Sequence, residues 1–311
     1  MTIYHEPVLL KESIDFLVTD LSGTYVDATF GGGGHTRELL SRLNSDARVI
    51  ALDVDENSRR IAEELSASDH RLSFVPNNFS CLPEVLREQN IKSISGSLFD
   101  LGVSSYQIDN EAGFSYRRDE RLDMRLDKHL EVSAYEIVNS CSSDELVDIF
   151  TKYGEEPRAR ALARTIVKER QIKRVETTGR LADIVGRVCG KSVKALSRIF
   201  QALRIEVNKE LDSLSKGLDT AVDFTSRGGR VTVISYHSLE DRIVKDKFKY
   251  EAAACVCPPE AIICTCGKTA RLKILTRKPV LPGKDEVRGN RRARSAKLRV
   301  AEKIVSKGSF E

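Results

Sequence analysis

Four consecutive glycines, Gly31–Gly34, run into His35 and Thr36 and form the most chemically suggestive stretch of the chain. Glycine carries no Cβ, so the backbone can approach a ligand closely and positive φ is accessible. A helix opening at such a turn also presents free N–H groups. Three ligand classes suit that arrangement. A phosphate loop requires G-x4-G-K-[ST], and here His35 stands where lysine belongs. Two partial matches fail as well: Gly186-x3-Gly190-Lys191-Ser192 is one residue short, and Gly267-Lys268-Thr269 has Ile262 at the first glycine position. A dinucleotide turn requires G-x-G-x-x-G, but counting from Gly31 or Gly32 ends on Thr36 or Arg37. The third class is S-adenosylmethionine, which has a ribose and an amino-acid moiety but no phosphate. It calls for glycines and for a carboxylate at the end of the second strand. Asp53, 19 residues after Gly34, sits there and can accept from both ribose hydroxyls. The bland alternative is a glycine-rich turn with incidental acids.

Cysteine supplies a second pattern. Cys255-x-Cys257 and Cys264-x-Cys266 place four thiols within 12 residues. They are candidate zinc ligands, although zinc pairs usually read C-x2-C or longer. Reduced free thiols or a redox pair are the alternative. Seven cysteines in all is an odd number for a disulfide framework.

The composition holds 41% hydrophobic and 31% charged residues, which suits a sizeable core and excludes general disorder or collagen. No run of about 18 apolar residues exists, so no membrane span is expected. The opening MTIYHEPVLLKESIDFLV has no basic patch leading into an apolar stretch. A cytoplasmic location without a secretion signal is the expectation. The net charge of +4 is uneven: residues 271–299 hold 11 Lys or Arg against Asp285 and Glu286. A basic tail on a mildly acidic body suggests a polyanionic partner, the alternative being a solvated surface run.

The elements that must position these groups follow from periodicity. Residues 25–102 read as apolar strands alternating with amphipathic helices: strands at 25–30, 48–55, 71–79 and 93–102, with helices between. That pattern means a parallel sheet covered on both faces. From Val103 to about Tyr135 no periodicity is clear, and a loop of that length is usually functional or mobile. From Ser133 to Asp223 the periodicity is helical. Ala159, Leu162, Ala163, Ile166 and Val167 share one face, as do Val193, Leu196, Ile199, Phe200, Leu203 and Val207. A fifth strand at 230–237, a helix and two further strands complete the chain. The expected organisation is an α/β domain formed by 1–108 and 213–311, with a helical domain, 109–212, inserted between its fourth and fifth strands.

Several long segments then carry a resemblance. HEPVLLKE (5–12), DATFGGGGHT (27–36), FDLGVSS (99–105), GFSYRRDERLDMR (113–125), YGEEPRARALARTIV (153–167), FQALRIEVNKEL (200–211), SYHSLEDR (235–242) and RARSAKLRVAE (292–302) resemble the bacterial 16S ribosomal RNA cytosine-N4 methyltransferase family, from about His5 to Glu302. The resemblance implies a class I (Rossmann-like) methyltransferase fold with an inserted all-helical domain. It implies methylation, from S-adenosylmethionine, of the exocyclic amine of a cytidine in the ribosomal decoding centre. It also implies cofactor contacts at Gly33, Gly34, His35, Asp53, Phe79, Asp100 and Gln107. Phe79 has two readings, an aromatic against adenine or ordinary core burial. The implied partner is 16S ribosomal RNA within the small subunit, and a homodimer is a candidate assembly. The four-cysteine cluster is not a requirement of the family.

The implied reaction is an in-line displacement in which alignment matters most. Cytosine N4 is a poor nucleophile, so acceptors on its N–H bonds would help, and a proton must finally leave. Asp100 is one candidate catalytic residue, with cofactor binding as its other reading. His237 is the second, with helix capping as its other reading, and Glu240 or Asp241 follow it. C5-methylation would need a cysteine nucleophile near the fourth strand, where there is none; Cys81 reads as buried packing. Tyr106, Phe114, Tyr116 and Tyr236 are candidate stacking partners for an extruded base. Phosphate contacts are expected from Arg160, Arg164 and Lys168, four apart on one helical stripe, with Arg204 and Asn208 beside them. A second set, Arg291, Arg292 and Arg294, lies in the tail together with Arg288 and Lys297. A non-catalytic ribosome-assembly factor would bind RNA without turning over cofactor. An amino-methyltransferase acting on DNA or protein would keep the chemistry and change the polymer.

Overall fold

The computed structural model describes residues 7–102, 112–190, 192–261 and 263–305. In chain order, α1 (Leu10–Leu17), β1 (Thr24–Asp27), α2 (Gly34–Arg42), β2 (Arg48–Leu52), α3 (Glu56–Ser68), β3 (Leu72–Val75), α4 (Leu82–Glu88) and β4 (Ile94–Asp100) come first. Then follow α5 (Ala134–Ser140), α6 (Ser143–Lys152), α7 (Ala159–Ile172), α8 (Thr178–Cys189) and α9 (Val193–Asn208). The last group is α10 (Glu210–Phe224), β5 (Thr225–Ser235), α11 (Ser238–Ala252), β6 (Leu272–Ile274), α12 (Lys284–Gly289) and β7 (Lys297–Lys303). Two units emerge, Met1–Gly102 with Leu211–Glu311, and Val103–Glu210. The expected junction at 108/109 lies outside the described residues. The second junction falls at Glu210/Leu211 in the first turn of α10, two residues before the expected 212/213, where helical periodicity runs on and marks no break.

In the first unit seven strands form one sheet in the order β3-β2-β1-β4-β5-β7-β6. β1 to β5 are parallel, and β7 lies antiparallel between β5 and β6. The strand order reverses between β1 and β4. At such a switch point the chain leaves neighbouring strands in opposite directions and opens a crevice at their carboxyl ends. β1 to β4 are shorter than their apolar runs, whereas β5 starts at Thr225, five residues before the expected 230. β3 stops at Val75 because Pro76 has no N–H to continue the ladder. The residues past each strand end become the loops of the crevice.

Both sheet faces are dry, which explains why the strands read as nearly continuous apolar runs. Val26, Ile50, Phe99 and Val233 pack against Leu82 and Leu86 of α4, Leu214 and Leu218 of α10, and Val244 and Phe248 of α11. Their neighbours Tyr25, Val49, Ala51 and Leu98 pack against Ile14 and Leu17 of α1 and Leu39 and Leu40 of α2. Each such burial is worth roughly 1.5–3 kcal/mol.

The second unit has its own core, with Leu146, Phe150, Leu162, Ile166, Leu181, Ile184, Ile199 and Leu203 all buried. Val193 departs from its expected face. It begins α9 and is 62% exposed, since the first turn precedes the packed stripe. Residues 112–133 form no helix, yet side chains pin them. Thr178 Oγ1 donates to the Arg118 carbonyl at 2.6 Å, and the Asn208 side chain accepts from Leu126 N–H and donates to the Met124 carbonyl, both at 2.8 Å. None of the described helices is long and apolar enough to cross a membrane.

Candidate active site

The crevice begins with Asp27 at the end of β1. Its buried carboxylate accepts from Thr36 Oγ1 at 2.6 Å and from the Thr29 amide at 3.2 Å, tying the glycine turn to the first turn of α2. Gly31 and Gly33 both take positive φ, +53° and +72°. A Cβ on Gly31 would meet nothing nearer than 4.0 Å, so conformation alone demands glycine there. At Gly33 a Cβ would come within 2.6 Å of the Phe30 ring, and at Gly34 within 2.9 Å of the Pro7 ring. Gly33 thus lets the turn pack on itself, and Gly34 lets it pack on Pro7.

Asp53 follows β2 and joins the turn directly. Its Oδ2 accepts the Gly31 N–H at 2.7 Å and its Oδ1 the Asp55 N–H at 3.0 Å. Burial pushes its pKa up, with those two amides opposing. His35, in the first turn of α2, is 5% exposed. Burial lowers its pKa against the opposing charge of Asp27, leaving a neutral ring. Its Nδ1 lies 3.7 Å from Asp100 Oδ2, while its buried Nε2 has no hydrogen-bond partner among the described residues.

Asp100 ends β4 beside β1. Its N–H donates to Thr29 Oγ1 at 2.7 Å, and its Oδ1 accepts the Tyr236 hydroxyl at 2.7 Å. Burial, and then the Asp100 charge, hold the Tyr236 phenol well above its ordinary pKa, so it stays a donor. The Tyr236 ring lies against Gly102, where a Cβ would come within 2.9 Å. Tyr236 was expected only as a stacking surface; its hydrogen bond to Asp100 was missed. Phe79 packs edge-on against Phe99 at 5.6 Å and occupies the space a Cβ on Gly217 would need. That contact is the core-burial reading, and the partly buried ring leaves the other open. Gln107 and Tyr106 lie outside the described residues.

His237 is a cap. Its Nδ1 accepts the Glu240 N–H at 3.4 Å, and Glu240 Oε2 accepts the Tyr236 N–H at 2.8 Å in return. Its Nε2 is 3.1 Å from Glu240 Oε1 without hydrogen-bond alignment. With Nδ1 accepting an amide and Nε2 facing Glu240, the bonds seen at His237 are those of the helix-capping reading. Asp241 is likewise committed, to Arg299 at 2.6 Å and Lys297 at 3.1 Å. Tyr116 stacks edge-on with Phe200 at 5.5 Å within the helical unit.

The basic residues separate into two groups. Arg160, Arg164 and Lys168 are exposed along α7 and form no ion pair among the described residues. Arg291, Arg292 and Arg294 are exposed on the short 3-10 turn Arg291–Ser295, held by buried Ala293. Arg204 grips Glu210 through two bonds of 2.8 and 2.9 Å. Asn208 bonds residues 124–126. Lys297 pairs with Asp241, and Arg288 with Asp285.

A model of the MraW methylase family matches residues 2–304. The ribosomal RNA small subunit methyltransferase H of Caldicellulosiruptor saccharolyticus is 47% identical, covering 96% of this chain and 99% of its own length. Its namesake from Halothermothrix orenii is also 47% identical over 97% of this chain and 99% of its own, and that from Clostridioides difficile is 45% identical over 98% and 100%. Likeness of that extent, running through the crevice loops and the helical unit alike, makes the chain a member of the MraW methylase family.

Proposed function

We infer that the chain transfers a methyl group from S-adenosylmethionine to the N4 amine of a cytidine in 16S ribosomal RNA. The observation that carries this is the meeting of the Gly31–His35 turn, Asp53 and Asp100 at the carboxyl ends of β1, β2 and β4, in a chain so similar to small-subunit RNA methyltransferases. The residues present fit the cofactor. Asp53 spends one lone pair of each oxygen on a backbone amide and keeps others for two ribose hydroxyls. Nε2 of His35, buried and without a hydrogen-bond partner among the described residues, can bond a polar group of the ligand. When bound, the cofactor supplies an electrophilic methyl on a positively charged sulfur.

The rest is orientation and proton handling by the chain. Asp100 accepts an N–H of the cytosine amine, which draws the nitrogen lone pair out of the ring and aims it. Tyr236 donates to Oδ1 and fixes the carboxylate that faces the amine and the proton N4 must shed. His35, neutral, adds no competing positive charge next to Asp100. Arg160, Arg164 and Lys168, with Arg291, Arg292 and Arg294, contact phosphates. The helical unit serves RNA recognition, and the cytidine of the decoding centre, in the cytoplasm, is the substrate this reading requires. The test is incubation with labelled cofactor and small subunits lacking the modification, followed by mapping. Label on N4 of one cytidine is expected. Label at C5, or transfer only to DNA or protein, would overturn the assignment.

A further inference from the structure

We propose that Cys255, Cys257, Cys264 and Cys266 hold one structural zinc ion, at the opposite end of the sheet from the methyl-transfer crevice. The four Sγ atoms converge. Cys264 lies 3.5 Å from Cys255, 3.9 Å from Cys257 and 3.5 Å from Cys266, and Cys266 lies 3.8 Å from Cys255. All four sulfurs fall within 4.8 Å of one another. Tetrahedral zinc with Zn–S bonds of about 2.3 Å sets its sulfurs about 3.8 Å apart. A disulfide would require about 2.0 Å in one pair and would release the others from it. The observed spacing is that of a four-sulfur cage, and the unusual C-x-C pairs do not prevent it.

The loop around these cysteines gives the reason for a metal. Residues 253–270 contain no helix or strand among those described, a length that is uncommon without some other tie. They have little apolar core: Val256 is 46% and Ile263 75% exposed. Thiol–thiol contacts are weak hydrogen bonds and would not by themselves gather four side chains, three of them exposed. The base of the loop is fixed separately. Arg271 binds Glu251 and Asp223, and Lys268 lies 4.0 Å over the Tyr250 ring. The Cys257 N–H donates to Cys255 Sγ at 3.3 Å, the kind of support a metal-bound sulfur receives.

Topology sets the role. α11 leaves the carboxyl end of β5 beside Tyr236 and runs 15 residues, about 22 Å, to the amino end of the sheet. β6 starts there, with Leu272 opposite Lys303 and one step from the pair Arg230–Glu302. An ion in this loop cannot touch the crevice, so its work is to clamp the link from α11 to the edge strand β6.

The full-length protein, purified under reducing conditions, is assayed by elemental analysis. One zinc per chain is expected, released by a mercurial reagent in step with the four cluster thiols out of seven. Protein stripped of metal while reduced is then titrated with cobalt(II). The absorption of tetrahedral thiolate-bound cobalt should appear at one equivalent and should be absent in Cys255→Ser/Cys266→Ser. Stripping should also speed limited proteolysis within 253–270 while cofactor affinity stays unchanged. The wild-type stoichiometry stands whether or not the double variant folds. No metal with four freely titrating thiols and no cobalt spectrum, disulfides in protein kept reduced, or iron in place of zinc would each overturn the proposal.

Discussion

The bond from Tyr236 to Asp100 is the contact on which the proposed chemistry is most exposed to test. A buried phenol at 2.7 Å from a carboxylate is a charge-assisted hydrogen bond, worth about 1.5–3 kcal/mol. Its removal in Tyr236→Phe frees Asp100 to rotate. The single-turnover methyl-transfer rate should fall about 10- to 100-fold, with cofactor affinity nearly unchanged by calorimetry. An equal loss in affinity and none in rate would move Asp100 from aiming the amine to holding the cofactor. Asp53→Ala should do the reverse. It removes the ribose acceptor and releases the Gly31 amide, so cofactor affinity should drop by at least about tenfold. Asp53 was legible in the sequence because its distance from the glycine turn is a local spacing. The Tyr236 contact was not, because its partner is 136 residues away along the chain. His237 was ambiguous for another reason: a histidine after a strand serves as a base or a cap equally well until its hydrogen bonds are known.

Elements were legible wherever one periodicity ruled them. The parallel strands read as apolar runs because both faces of the sheet are buried, and α7 and α9 showed their stripes. Strand order was not legible, since pairing β1 with β4 across 70 residues leaves no local trace. Nor were the charges of the tail, because a count of basic residues does not reveal which of them already have acids. Arg271 illustrates this, and it carries a prediction for α11. Burial by itself would raise the pKa of Glu251, but the bonds from Arg271 and Lys247 outweigh it and hold the carboxyl at about 2 instead of 4.5. A depressed carboxylate stabilises the fold above the unfolded value, and that gain is lost as pH falls from about 4.5 to about 2. The shift corresponds to about 3 kcal/mol. Glu251→Gln should therefore unfold more easily at pH 7, by roughly that amount in denaturant titrations. The gap to the parent should close as the pH is lowered through that window. A gap independent of pH would mean that the ion network contributes nothing to stability.

On the scale of the whole molecule, what matters is which positive charge is left for a polyanion once internal pairs are counted. Residues 271–299 hold 11 Lys or Arg, yet Arg271, Arg288, Lys297 and Arg299 all have acidic partners. Lys273, Arg277, Lys278, Lys284 and the arginines of the turn Arg291–Ser295 are exposed in the first unit, and the stripe on α7 is exposed in the second. Binding through phosphates releases counterions, so affinity depends on salt with a slope of about 0.7 to 0.9 per contact in log–log form. Arg160→Glu/Arg164→Glu and Arg291→Glu/Arg294→Glu should each weaken binding to small-subunit RNA and flatten that slope by about 1.5. If the two surfaces act independently, the fourfold variant should lose about 3, and the cofactor affinity of all three should match the parent. A slope unchanged by the α7 pair would make that stripe a solvated helix face. Loss in the α7 pair alone would leave RNA recognition to the helical unit and make the arginine turn a bystander.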